Sequence, residues 1–398
     1  MSSDLTIAWL AQGKIRLKQG SDPARTVESR FGQTIRERAL KAQQRHSWKT
    51  QGNEDKFLAG AMLWGRSPRD PAAIRLSITS LCPGTRPGQV LYSLETDDLC
   101  GILQLEEFGA DERRLWNKND KRIDHLHLSE RGELACSIRH TFGTANIAVR
   151  ISEETGFGEV TEGDSLDTAP HWIPGSPGQL VFQSAGVGRD RDGHFSGIGP
   201  YSIQKLELGS GEITCLREDS RYDFLNPRMT ADGTLYFIRR PHRTGRDVHP
   251  LRLLKDILLF PFRLVYAVFH YLQFFSMRYT GKKLTSGGAQ SRELDQQQMM
   301  IWGNLVAAQQ GRNKGEEAPD LVPSTWELVR SVPNQNEEVI AKGVLAFDLG
   351  SDGSLLFSNG SAIFHQNSQG RKERIIVENL IEKVIVLSPV ASQTPPAS

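Results

Sequence analysis

The chain has 398 residues, 38% hydrophobic and 24% charged. That is enough apolar material for a large core and too much for an intrinsically disordered chain. Its 48 Lys and Arg residues nearly balance 47 Asp and Glu, so no global field recruits nucleic acid, and electrostatic binding is left to local patches. Cys82, Cys100, Cys136 and Cys215 stand far apart without a CxxC pair, which excludes a local zinc or dithiol motif and reads as buried free thiols.

From the N-terminus, MSSDLTIAWLAQGKIRLKQG has no basic n-region, sustained apolar h-region or small-residue cleavage site, so the expected compartment is the cytoplasm. The run LTIAWL reads as a strand. A departure over about 20–60 follows, with a helix carrying Arg30, Arg36, Arg38, Lys41, Arg45 and Lys49. Such a run reads as a solvated helix face or as an electrostatic membrane contact. QVLYSLE, CGILQLE and RRLWNKN are short strands. HLHLSERGELACSIR (125–139), APHWIPGSPGQLVFQS (169–184), NPRMTADGTLYFIRR (226–240) and AFDLGSDGSLLFSN (346–359) are copies of one hairpin. Asp232-Gly233 and Asp352-Gly353 mark tight two-residue turns, because Gly tolerates positive φ. Each copy continues into a third strand and often a fourth: NIAVRIS and GEVTEG, SIQKLELGSGE and ITCLRED, SAIFHQNSQG and RKERIIVE.

Four short antiparallel strands every 40 to 50 or so residues is the period of propeller blades. The expected fold class is all-β, a closed β-propeller of six four-stranded blades over residues 1–387, with helical insertions on one face. The blades fall at about 5–80, 81–120, 121–163, 164–220, 221–340 and 341–380. EKVIVL (382–387) is left over and is expected to close the ring in one blade with the N-terminal run; the Pro- and Ser-rich 388–398 reads as a disordered tail. Insertions at about 20–60, 185–200 and 241–297 are assigned between second and third strands, on one ring face.

Pro170-x-Trp172 with Pro174, Pro227 ahead of Ala231-Asp232-Gly233, and LELGSGEITCL resemble the P-x-W-S-P-D-G hairpin and following strands of TolB-like propeller repeats. The match is good over about 165–240 and weakest in the first 120 residues. It implies the propeller fold and no particular activity. The signal peptide and N-terminal α/β domain of periplasmic TolB proteins are not read in this sequence, nor is a peptidase domain.

The insertion at 241–297 contains LRLLKDILLFPFRLVYAVFHYLQFFSMRY (251–279), where Arg252, Asp256, Arg263, Tyr266, His270 and Gln273 form one polar stripe on an apolar helix. Both ends return to one blade, so an interfacial helix fits better than a span. Leu258, Phe262, Val265, Phe269 and Phe275, with Lys282 and Lys283, are the expected contacts, with an anionic membrane surface or with a partner, a second copy of the chain included. Burial over the ring or in an oligomer interface is the competing reading.

No G-x-S-x-G elbow, phosphate-binding glycine loop, HExxH helix or EF-hand loop occurs. No catalytic residue, metal or cofactor is assigned, and nucleic acid is not an expected partner. Asp124, His125, Asp167, His171, Asp223, Asn226 and Arg228 lie where inner strands begin and are the candidate ligand-binding residues of the channel mouth. His125 and His127 on one strand face form a weak metal signal, better read as structural hydrogen bonding; RDRDGHFSG (189–197) resembles a cation loop only superficially. The expected function is a non-enzymatic binding or scaffold propeller, peripheral on the inner face of the membrane. The alternative is a lactonase- or cyclase-like enzyme with its site at the channel mouth.

Overall fold

The computed structural model describes residues 5–38, 41, 76–96, 99–106, 109, 111–119, 121–141, 143–152, 156–242 and 318–387. The helix expected over 251–279 and the tail 388–398 lie outside the described residues. The chain opens with β1 (Thr6–Ala11), β2 (Lys14–Gln19) and β3 (Arg25–Val27), followed by helical residues 30–38. Then come β4 (Ser77–Pro83), β5 (Val90–Glu95), β6 (Cys100–Glu106) and β7 (Asp111–Lys118). Next are β8 (Arg122–Leu128), β9 (Leu134–Arg139), β10 (Ala145–Arg150) and the short β11 (Gly158–Glu159). They lead to β12 (Ser165–Trp172), β13 (Gln179–Arg189), β14 (Phe195–Ile198), β15 (Ser202–Glu207) and β16 (Glu212–Arg217). β17 (Tyr222–Met229), β18 (Leu235–Pro241), β19 (Glu327–Ser331) and β20 (Glu338–Lys342) follow. The chain ends in β21 (Ala346–Leu349), β22 (Leu355–Ser358), β23 (Ala362–Gln366), β24 (Lys372–Val377) and β25 (Ile381–Leu387).

Each group is an antiparallel meander, with β14 a side hairpin on β13. β25 returns to pair with β1 from Thr6↔Leu387 to Ala11↔Ile381. The first unit is therefore β25-β1-β2-β3, its leading strand supplied by the end of the chain. The third and fourth units meet through one parallel bridge, Ala145↔Leu166.

Burial is deepest in the middle strands and lowest in the outermost ones. The middle strands β5 and β6 are buried on both faces, whereas the outer strands β7, β16 and β24 are mostly exposed. A sheet apolar on both faces must be covered on both, and neighbouring units do so. The buried clusters have a cyclic order. Leu10 and Leu17 of the first unit pack with Tyr92 and Leu103 of the second, and Leu91 and Ile102 of the second with Ile123 and Cys136 of the third. Ile147 meets Phe182, Ile203 meets Phe237, and Leu328 meets Phe357 in the next three clusters. The cycle returns where Leu356 and Ile363 of the sixth unit pack with Ile7, Trp9 and Val384 of the first. Trp9, fully buried, donates its indole N–H to Glu378 Oε2 at 2.7 Å, so its one polar atom is satisfied across this junction. Among the described residues no helix is long and apolar enough to cross a membrane.

Two sequence expectations are corrected. The turns at 231–233 and 351–353 have three residues, not two: Thr230 N donates to Thr234 O and Gly350 N to Ser354 O, while Gly233 and Gly353 take φ of 84° and 78°. A type I turn followed by a left-handed residue makes this hairpin, and glycine relieves its strain. The first insertion does not lie between second and third strands. Because β25 leads the first unit, β1 is its second strand and β3 its fourth, so residues 28–76 link one unit to the next. The departures near 185–200 and after Pro241 do fall between second and third strands, β13 to β15 and β18 to β19.

Candidate functional site

The leading strands β25, β4, β8, β12, β17 and β21 touch one another in that order, and β21 touches β25 again. Their pairing with the second strands is irregular in five of the six units, and in three consecutive units the break skips two residues of the leading strand. The bulges lie between Asp124 and His127, Thr168 and His171, and Leu225 and Arg228. In each a non-glycine residue is left-handed: His125 at φ 52°, Ala169 at 53° and Asn226 at 51°. Such a conformation costs roughly 1–3 kcal/mol and persists only where the surroundings over-determine it. Pro170 and Pro227 follow two of the three left-handed residues, occupying bulge positions where a missing N–H costs no ladder bond.

What over-determines the bulges is a set of hydrogen bonds from their strands to the preceding unit. Leu126 N donates to Ser80 Oγ at 2.8 Å, Trp172 N to His127 Nδ1 at 3.1 Å, and Asn226 N to Gln183 Oε1 at 2.7 Å. Val386 N donates to Asp348 Oδ2 at 2.9 Å in the same sense. Four side chains thus accept N–H groups that bulges or strand junctions would otherwise leave buried and unpaired.

The bulges also turn ionisable side chains toward one place. Cys82 on β4, Asp124, His125 and His127 on β8, His171 on β12, Arg228 on β17, Asp348 on β21 and Lys383 on β25 interact electrostatically across units. Two pairs are formed: Arg139 Nη2 binds Asp124 Oδ2, and Arg228 Nε lies 3.5 Å from Asp348 Oδ1. Burial drives both Arg228 down and Asp348 up from their ordinary values, outweighing their mutual attraction. At Asp124 the opposite holds: against burial, Arg139 with His125 and Lys383 keeps the carboxyl below its ordinary value.

Burial brings His125 and His127 down to about 3 and His171 well below the ordinary range, so all three are neutral at pH 7. The His127 and His171 rings lie 3.9 Å apart at 36°. Nδ1 of His127 accepts a backbone N–H, whereas Nδ1 of His125 and of His171 is buried without a hydrogen-bond partner. Lys383 is brought down to about 8 by burial, with Asp124 opposing and Arg228 adding. Its neighbour Glu382 is raised by burial yet open to solvent, and Lys383 is half-buried. The Cys82 thiol, pushed up to about 12 by burial, is inert there.

Of the residues expected at the channel mouth, Asp124, His125, His171 and Arg228 come together. Asp167, Asp223 and Asn226 serve elsewhere: Asp167 accepts from Ser184 Oγ at 2.7 Å, and Asn226 N is clamped by Gln183. Asp223 accepts from Arg240 Nε at 2.8 Å and Tyr201 N at 3.1 Å, and its Oδ1 lies 2.7 Å from His242 Nδ1. His125 and His127 do not combine into a metal group, because the bulge separates them and His127 is committed to Trp172. Among the described residues, Asp190, Asp192 and His194 alone bring three donors within 4.8 Å of one another. There Asp190 Oδ1 accepts the N–H groups of Asp192 and His194, both at 2.9 Å, which is the work of a hairpin cap on an exposed loop. Asp348, Lys383 and Arg139 were not expected in the site. Lys383, with Glu382 beside it, interrupts an otherwise apolar strand, and that was its available signal.

No protein-family model and no curated protein matches the chain. Among solved structures, TolB from Acinetobacter baumannii aligns over 96% of this chain and 66% of its own, at 10% identity and a TM-score of 0.49. A chain of a nidogen/laminin complex aligns over 96% of this chain and 98% of its own, at 8% identity and a TM-score of 0.49. A TolB-like protein from Agrobacterium tumefaciens aligns over 78% and 89%, at 12% identity and a TM-score of 0.41.

Proposed function

We propose that the six units are blades of a closed propeller and that the chain is a binding protein whose ligand enters the axial channel. One observation carries this reading. Five of the six leading strands carry titratable side chains that act on one another electrostatically, two pairs neutralise each other, and Lys383 with two buried histidine nitrogens has no hydrogen-bond partner among the described residues. Strained bulges and neutral buried histidines are costly features with no need in a ring that only has to fold. An open channel makes Lys383 reactive, since near pH 8 about half of its amine is unprotonated, against under about 1% for a lysine at its ordinary 10.4 or so. Brief acetylation of the native protein with acetic anhydride at pH 8, mapped by peptide mass, is expected to modify Lys383 at least as fast as the exposed Lys14. A Lys383 that acetylates only after unfolding contradicts the channel reading.

The propeller is further held at an anionic membrane surface by residues 251–279. The support is the sequence pattern alone, an apolar helix flanked by Arg243, Arg246, Lys282 and Lys283. Phe262→Asp with Phe269→Asp is expected to abolish sedimentation with vesicles containing phosphatidylserine while the unfolding midpoint stays unchanged. Undiminished sedimentation of the double variant excludes attachment through this segment.

A further inference from the structure

We infer that Asp223, Arg240 and His242, apart from the axial group, form a site for a phosphate group that carries a hydroxyl. The three are joined by contact. Asp223 is 3% exposed; its Oδ2 accepts Arg240 Nε at 2.8 Å, and its Oδ1 accepts Tyr201 N at 3.1 Å and lies 2.7 Å from His242 Nδ1. A carboxylate ion-paired to a guanidinium has no proton to give, so Nδ1 of His242 is the donor and its Nε2 keeps a lone pair. One carboxylate thus holds a guanidinium and an imidazole whose bonded nitrogens are at most about 8 Å apart. Oxygens of a single phosphate group, each reached by a hydrogen bond of about 2.9 Å, bridge a similar distance.

Both held groups have hydrogen-bonding capacity to spare. The His242 side chain is 10% exposed, and its Nε2 is buried without a hydrogen-bond partner, a costly state for a polar atom. Arg240 is stacked on Trp326, its guanidinium carbon 4.8 Å from the ring centroid. Among the described residues its only hydrogen bond is the one from Nε, so four N–H groups of a fixed planar fork are unspent. The other charge nearby is the exposed Arg221, whose carbonyl accepts His242 N at 2.8 Å and whose guanidinium is paired with Asp219. A cation would meet the Arg240 guanidinium, with Asp223 already filled by three donors. A carboxylate or a sulfate satisfies the fork but brings no proton for the Nε2 lone pair. A phosphate that retains a hydroxyl does both, accepting from Arg240 and donating to His242.

The test uses the full chain at pH 7 and constant ionic strength, with inorganic phosphate, which keeps a hydroxyl at that pH, and sulfate, which has none. Phosphate is expected to bind about tenfold or more tighter than sulfate by calorimetry and to raise the unfolding midpoint, a comparison that needs no variant to fold. Arg240→Lys should weaken both anions, because the fork is lost. His242→Leu should bring phosphate down to the level of sulfate, because the acceptor is lost. Vesicles containing phosphatidic acid, a phosphate monoester, set beside vesicles containing phosphatidylserine, whose phosphate has no hydroxyl, separate a lipid source from a soluble one. A preference for phosphatidic acid that His242→Leu removes, without binding of inorganic phosphate, assigns the site to a headgroup. Absence of both preferences overturns the inference and leaves His242 Nε2 to water, as does a preference for phosphate that survives His242→Leu.

Discussion

Lowering the pH from 7 to 5 is expected to weaken the fold by several kcal/mol, through histidines kept neutral at the axis. In the unfolded chain each titrates near 6.5 or so; in the folded one His125 and His127 titrate at about 3 and His171 well below the ordinary range. Below about pH 6.5 the unfolded state therefore binds more protons than the native state, and stability falls as pH falls toward 3. At about 1.4 kcal/mol per pH unit, His125 and His127 each account for roughly 2 kcal/mol by pH 5. Asp124, held below its ordinary value, adds to the loss at lower pH, while Asp348, raised by burial, works against it. Urea unfolding at the two pH values measures the difference. His127→Asn, which can still accept the Trp172 N–H, should remove about 2 kcal/mol of the acid sensitivity, and an unchanged pH dependence in that variant would show that His127 is solvated.

The repeating hairpins were legible in the sequence because their turns demand particular residues. Gly132, Gly233 and Gly353 take left-handed φ at equivalent places, and the alternating apolar runs on either side became paired strands. EKVIVL was legible as a strand left over from the count, and it pairs with the N-terminal run. The position of the first insertion was not, because a strand borrowed from the far end of the chain shifts the rank of every strand in that unit. The site was half legible. Residues such as Asp124, His171 and Arg228 stand beside bulges marked by Pro or by an odd residue in a strand. Asp348 and Lys383 sit in strands without a proline and look like ordinary polar interruptions. Their role comes from charges on other units hundreds of residues away in the chain, which no local pattern encodes. Ser80 and Gln183 escaped for the same reason, since each serves an N–H of the following unit, whereas His127 was read as a structural hydrogen-bonding residue and does accept the Trp172 N–H.

Closure of the ring by β25 is the central structural claim, and its loss is expected to be the most damaging change. Ile381, Val384, Ile385 and Leu387 are each at most 4% exposed and pack with two clusters, one toward the second unit and one toward the sixth. Burial of such side chains is worth roughly 1.5–3 kcal/mol each, so in sum the strand rivals the ~5–15 kcal/mol of a whole domain. Without it β1 becomes an edge strand, all six of whose side chains are buried, and the Asp348 acceptor loses Val386 N. A chain ending at Asn379 should show no cooperative unfolding transition and should bind a hydrophobic dye, and a peptide of residues 380–387 added in trans should restore the transition. The decisive measurement is the thermal unfolding curve of that chain beside one ending at Leu387, which keeps β25. Loss of the transition in the shorter chain alone is the predicted result. Superimposable curves would contradict closure, and with it the axial channel on which the proposed function rests.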